Sequence, residues 1–300
     1  MYLYTYICLK SLSIKAMIVV QLSLGGINMK TCVMSFCNQK GGVGKTSTTA
    51  LVSYNLAKMG YKCLTIDFDP QANLTSLFIK TKSKYSSSVT PIKTSLMTAI
   101  KNNIDFSQIT IPVIDNLDLI PNASDFFLYS RFLENTFNNE AERVQYLADK
   151  INTDLRNKYD FIFIDVPPTF GLANDSAFYA CDQLVIVLQT QERALDGAKV
   201  LVNYLQSNLI DEFHSNVDIL GILPVLSKRN AQVDTEILNS AIQEFGSENI
   251  FSSHIMTMER VKRMDITGIT DGKTDIWDKR THNAYIDVAK EILKRLGAEE

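Results

Sequence analysis

An α/β fold, doubly wound around a mostly parallel sheet with helices on both faces, is predicted by three observations in this 300-residue chain. Strand-like and helix-like segments alternate, the order expected of parallel strands joined by crossover helices. Two strand-like runs, "YKCLTIDFD" at Tyr61–Asp69 and "YDFIFID" at Tyr159–Asp165, are apolar on both faces, as strands covered from both sides are. The stretch "NQKGGVGKTST", Asn38–Thr48, lies between a strand-like and a helix-like segment and carries the glycines of a phosphate-binding loop.

Taken in order, the first 28 residues do not match the rest. The apolar run Ala16–Ile27 is shorter than the ~20 residues that span a bilayer, and Gln21 and Ser23 interrupt it. No A-x-A-like cleavage site follows. Leu24–Asn28 back-translates to UUA GGA GGA AUA AAU, which puts a ribosome-binding sequence just before the Met29 codon. Met29 is therefore expected to be the true start, with residues 1–28 a leader and 29–300 one domain. The first strand is then "TCVMSFC", Thr31–Cys37. A helix follows over Thr46–Met59, with apolar residues at helical spacing and Gly60 as its stop. After the Tyr61–Asp69 strand, "KTKSKYSSSVT" at Lys80–Thr90 reads as an exposed polar loop. "QLVIVLQ" and "VDILGILPV" supply two more strands after Asp165, and helices are predicted over Ala194–Gln206, Asp234–Phe245 and Asn283–Leu296.

Composition agrees with a globular chain: 46% hydrophobic residues, 21% charged and a mean hydropathy near zero. A pI near 5.7 excludes wholesale basic binding to nucleic acid, so any such contact must come from a local patch. The five cysteines are odd in number and form no C-x-x-C pair, and the three histidines show no ligand spacing. Free buried thiols in a reducing compartment are the reading they support.

The loop carries the chemistry. Small residues let the backbone N–H groups of Gly41, Gly42, Val43 and Gly44 turn inward as an anion nest, and the helix N-terminus adds positive potential. Lys45 would neutralise the outer phosphates, Thr46 would hold Mg²⁺ through its hydroxyl, and Ser47 follows in the same first turn. An aspartate at the end of the buried Tyr159–Asp165 strand, Asp165, is placed to hold Mg²⁺ directly or through water. One departure stands out: the common pattern has glycine at position 39, where this chain has Gln39, and a second lysine, Lys40, precedes the glycines.

"KGGVGKT", Lys40–Thr46, resembles the deviant Walker A box of the ParA/MinD family of ATPases, which also includes the nitrogenase iron protein. The resemblance implies that Lys40 reaches across a dimer interface to phosphates bound by the other subunit. "DFDPQANLTSLF", Asp67–Phe78, looks like the family's second box, which implies that Asp69 orients the attacking water while Asp67 supports the Mg²⁺ shell. "DVPPTFGLANDSAFYACDQLVIVLQ" after it is similar to the ParA pattern, and the likeness runs from Met29 to about Leu226. "HIMTMERVKRMD" stands where relatives carry an adenine-framing Ile-Pro-Arg element.

Within the family, several branches lack support. The C-terminal Glu299 and Glu300 do not suit a MinD-type membrane helix, cluster cysteines are not placed as in nitrogenase iron proteins, and only Tyr285 lies near the end where tyrosine autokinases carry a cluster. Counted from Met29 there is no room for an N-terminal helix-turn-helix domain. The resemblance thus implies a short, Soj-like partition ATPase, cytoplasmic and nucleoid-associated, using ATP and Mg²⁺. It would form an ATP-dependent sandwich homodimer on non-specific DNA, hydrolyse ATP slowly, and be released by a ParB-like centromere-binding partner, without membrane contact. Lys228, Arg229, Arg260, Lys262 and Arg263 are the dense basic clusters of an otherwise acidic C-terminal third, and are the candidate DNA contacts. The alternatives are a metabolic ligase of the amidoligase or dethiobiotin synthetase type, a MinD-like positioning ATPase, or a regulator acting through protein contacts alone.

Overall fold

The computed structural model describes residues 30–85, 91–227, 232–272 and 274–298; the expectations for the leader 1–28 and for Lys228 and Arg229 lie outside the described residues. The elements run β1 (Cys32–Cys37), α1 (Lys45–Lys58), β2 (Cys63–Asp67), α2 (Asn73–Tyr85), α3 (Leu96–Lys101), β3 (Ile111–Ile114), β4 (Leu117–Ile120), α4 (Tyr129–Thr136) and α5 (Glu140–Asp154). They continue with β5 (Phe161–Asp165), α6 (Leu172–Tyr179), β6 (Gln183–Gln189), α7 (Glu192–Tyr204), β7 (Asp218–Ser227), α8 (Gln232–Phe245), β8 (Ile255–Met256), α9 (Glu259–Thr267) and α10 (Ile276–Arg295). The strands form one sheet in the order β3-β4-β2-β5-β1-β6-β7-β8, parallel except for the β3–β4 hairpin.

Side-chain alternation along the central strands builds two cores. In β5, Ile162 and Ile164 join one hydrophobic cluster while Phe161 and Phe163 join the other. The first cluster takes side chains from α3 to α8, the second from α1, α2, α9 and α10. The expected doubly wound sheet with helices on both faces is therefore what forms.

Several boundaries differ from the sequence expectation. Lys80–Tyr85 is not loop but the last part of α2, and residues 86–90 lie outside the described residues. Leu74, Leu77, Phe78 and Thr81 keep one buried stripe at helical spacing, so packing carries the helix through a Lys/Ser-rich surface. The final helix starts at Ile276 rather than Asn283, because the Asp275 carboxylate caps it by accepting from Trp277 N and Asp278 N. The helix expected to end at Gln206 passes at Tyr204 into a π-helical stretch, Leu205–Glu212. Segment 96–154, to which sequence periodicity assigns nothing, contributes α3, the β3–β4 hairpin, α4 and α5. Its turn residue Asn116 sits at φ 63, a left-handed conformation that asparagine tolerates. Among the described residues no helix is long and apolar enough to cross a membrane.

Candidate nucleotide site

Strands β2, β5 and β1 are neighbours, so their C-terminal ends deliver three chemical groups to one edge of the sheet, where open α/β folds bind ligands. Asp67 at the end of β2 and Asp165 at the end of β5 are register partners. Beyond Cys37, β1 turns into the loop that leads to α1. Gly42 at φ 75 and Gly44 at φ 90 adopt the left-handed conformation that the inward-turning backbone requires. Gly44 occupies the N-cap of α1 and supplies no capping side chain, which leaves the first N–H groups of the helix for an anion. Val43 is fully buried and anchors the loop from below.

Lys45 is 6% exposed. Burial lowers its pKa, and Asp165, Cys37 and Asp69 pull it back up. Asp165 is fully buried, and neither of its carboxylate oxygens has a hydrogen-bond partner among the described residues. Burial pushes its pKa well above the usual carboxylate range, neighbouring Asp67 and Asp69 add to this, and Thr46 and Lys45 oppose it. Thr46 is close enough to act electrostatically without completing a hydrogen bond of regular geometry. A buried carboxylate with two orphan oxygens costs free energy unless a cation neutralises it, which fits the residue to a metal-bearing nucleotide.

Asp67 is spoken for in part. Its oxygens accept from Asp69 N at 3.2 Å and Thr75 N at 2.7 Å, so it clamps the turn between β2 and α2. Burial still raises its pKa to about 6 against the lowering effect of those bonds. Asp69 is half-buried and accepts from Gln71 N at 2.9 Å through one carboxylate oxygen, while Asn122 Nδ2 donates to its carbonyl at 3.1 Å. Asn122, Thr75 and Asn38 carry no signal in the sequence, because each acts through backbone groups brought near by the sheet. Asn38 Nδ2 donates to Val187 O at 2.7 Å and Asn38 Oδ1 accepts from Lys40 N at 2.9 Å, which pins the loop to β6. Gln39, standing where the common pattern has glycine, buries an amide nitrogen without a partner among the described residues.

The two lysines of the loop part company. Lys40 Nζ turns to the end of β6, donating to Gln189 Oε1 at 3.2 Å and to Gln191 Oε1. Gly41, Gly42, Thr46 and Ser47 line the accessible part of the loop, with Pro168 of the β5–α6 connection 3.8 Å from where a Gly41 Cβ would sit.

Of the basic residues expected to touch DNA, Arg260, Lys262 and Arg263 lie among the described residues, and their surroundings differ. Arg260 is engaged within the chain: its guanidinium is held by Asp275 at 2.6 Å and by Asp278, both from the start of α10. Those carboxylates lie across an interhelical contact that sequence clustering cannot reveal. Lys262 is exposed and pairs with Glu259 at 2.8 Å, and Arg263 is exposed.

The AAA-domain family AAA_31 matches residues 31–219. The sporulation initiation inhibitor protein Soj of Bacillus subtilis is 28% identical over 265 residues, covering 87% of this chain and 97% of that protein. Among solved structures, an ATP complex of a Cyanothece McdA variant superposes with a TM-score of 0.73 at 21% identity, covering 92% of this chain and 99% of that one. Cobyrinic acid a,c-diamide synthase of Mycobacterium smegmatis, with an ATP analogue and magnesium, gives a TM-score of 0.71 at 21% identity, covering 88% and 94%. At these identities the two structures establish a shared fold.

Proposed function

This chain belongs to the AAA-domain family AAA_31, in its ParA-like deviant Walker A form, and we propose that it is a DNA partition ATPase. In this reading two ATP-loaded copies close face to face, bind DNA without sequence preference, and let go when a ParB-like partner stimulates hydrolysis. The observation that carries it is the loop: Lys45 buried toward Asp165 and Asp69, with Lys40 turned out to the rim where a second copy can be met. The chromosome-partitioning ATPase Soj of Treponema pallidum, 27% identical and covering 87% of this chain and 97% of that protein, supports partition over the other functions this fold hosts.

The residues fit Mg²⁺ and ATP. Asp165 and Thr46 would hold the metal, and Asp67, its oxygens engaged by Thr75 N and Asp69 N, would support it through water. Bound there, the metal would supply positive charge against the phosphates. The backbone of Gly41 to Ser47 and the Lys45 ammonium would cradle the phosphates, Lys40 would add its charge from the facing copy, and Asp69 would orient the attacking water. Exposed Lys262 and Arg263, with Lys228 and Arg229, would meet DNA phosphates.

The test uses Asp69→Ala. It should bind ATP, dimerise and remain on DNA of any sequence, yet fail to dissociate when the ParB-like protein is added with ATP in excess. Release at the wild-type rate would assign the water to another group. A chain that ignores DNA, and whose turnover responds instead to a small carboxylic acid and an ammonia donor, would establish the ligase reading.

A further inference from the structure

Lys40 is held on its own subunit by two amide oxygens, Gln189 Oε1 at 3.2 Å and Gln191 Oε1. One acceptor is the last residue of β6 and the other the residue just before α7, 149 and 151 residues away in sequence. The connection is tight: Gln191 N donates to Gln189 O at 2.7 Å, and Gln191 O then accepts the first helical bonds from Ala194 N and Leu195 N. Gln191 is therefore the N-cap of α7, a position that serine, threonine, aspartate or asparagine usually fills because their side chains reach the orphan N–H groups. Its side chain does no capping. A cap residue that breaks the local rule and spends its amide on a distant ammonium is the kind of local inconsistency that functional sites carry.

The geometry points to Gln189 and Gln191 as positioning residues for Lys40, holding its ammonium at home until a second nucleotide-loaded copy takes it over. This rests on the reading in which Lys40 acts across a dimer. Two neutral oxygens suit a temporary hold. They replace the water around the ammonium, so the side chain is ordered and kept from folding back into its own loop, but they carry no net charge. Transfer to the multiply charged phosphates of a facing copy is then favourable, whereas a carboxylate at either position would compete for the lysine. The hold is also wired to α7. Asn38, which accepts from Lys40 N, lies 3.5 Å from where a Gly197 Cβ would stand, so the lysine, the loop and the first turns of α7 form one contact set.

The sign of each substitution follows. Gln191→Ala removes one competitor, and Gln189→Ala with Gln191→Ala removes both, so dimerisation with a non-hydrolysable ATP analogue and Mg²⁺ should set in at a several-fold lower protein concentration. Gln191→Glu replaces the amide oxygen with a charged one and should raise that concentration tenfold or more, the excess shrinking as salt is added because a partly exposed ion pair is screened. Light scattering across a concentration series reads the midpoint, and a fluorescent nucleotide titration at low protein concentration checks that monomers bind nucleotide equally well. The fading of the Gln191→Glu effect with salt is what a merely structural role for Gln191 would not produce. Equal midpoints for wild type and all glutamine variants would overturn the holding role. If Lys40→Ala remains monomeric while the glutamine variants match wild type, only the hold fails. If Lys40→Ala itself dimerises normally, the cross-subunit reading fails and the hold with it.

Discussion

The C-terminal edge of the sheet and the junction around the start of α10 are built from the same materials and treat them in opposite ways. Both bury carboxylates near cations. At the sheet edge, fully buried Asp165 has no hydrogen-bond partner among the described residues, and its pKa is driven up by burial. At the junction, Asp278 is 1% exposed yet accepts from Arg260, from Thr270 Oγ1 at 2.7 Å and from Gly272 N at 2.9 Å. Burial alone would raise its pKa, and these donors outweigh burial, so the pKa falls below the usual carboxylate range. Asp271 behaves likewise, with donors from Lys58, Tyr54 and Tyr85 overcoming burial. A satisfied charge holds elements together; an unsatisfied one is stored for something the chain itself does not contain.

The contrast is broken most directly at Asp165. Asp165→Asn should lower Mg²⁺-dependent ATP turnover by a hundredfold or more, on the order of 3 kcal/mol of barrier, while leaving the thermal midpoint of the nucleotide-free chain unchanged or higher. Loss of stability without loss of turnover would make Asp165 a structural residue after all. Asp278→Asn should do the reverse. It leaves Arg260 without its buried counter-charge, and unfolding in urea should show a loss of about 3 kcal/mol with turnover per folded molecule retained.

A third measurement sharpens the comparison through pH. Glu291 on α10 accepts from Ser252 N at 2.9 Å, Ser253 N at 2.8 Å and Arg295 Nη2 at 2.9 Å. Burial works to raise its pKa, but these donors and the Ser252 hydroxyl bring it down to about 2. A depressed carboxylate stabilises the fold above its unfolded pKa of 4.5 and loses that contribution as pH falls toward 2. Glu291→Gln should therefore remove up to about 2 kcal/mol at neutral pH and flatten the decline in stability between pH 4.5 and 2. An acid limb identical to wild type would show that the α10 carboxylates are not the satisfied set.

How much of this is legible in the sequence differs by element. The strand end carrying Asp165 can be placed because a fully buried strand is apolar on both faces and stops where a charge appears, whereas the strand read through to Asp69 ends two residues earlier, at Asp67. The α2 extension through Lys80–Tyr85 cannot, since its buried stripe of Leu74, Leu77, Phe78 and Thr81 is masked by surface lysines and serines. Arg260 reads as a free cation beside Lys262 and Arg263 because its partners, Asp275 and Asp278, come from a different helix.

By itself the sequence determined the sheet's central strands, the phosphate loop and the family to which the chain belongs. These are written in residues a few positions apart: the alternation of a buried strand, the glycines that permit φ 75 and φ 90, the lysine and threonine that open a helix. Only the tertiary structure decided which charges are satisfied. Lys40 meets Gln189 across 149 residues, Asp67 lies beside Asp165 because β2 and β5 pair, and the Asp165 oxygens are left with nearby Thr46 but no hydrogen bond of regular geometry among the described residues. Backbone conformation is fixed by near neighbours, whereas the electrostatic state of a side chain is fixed by whatever the packed fold brings within a few ångströms of it.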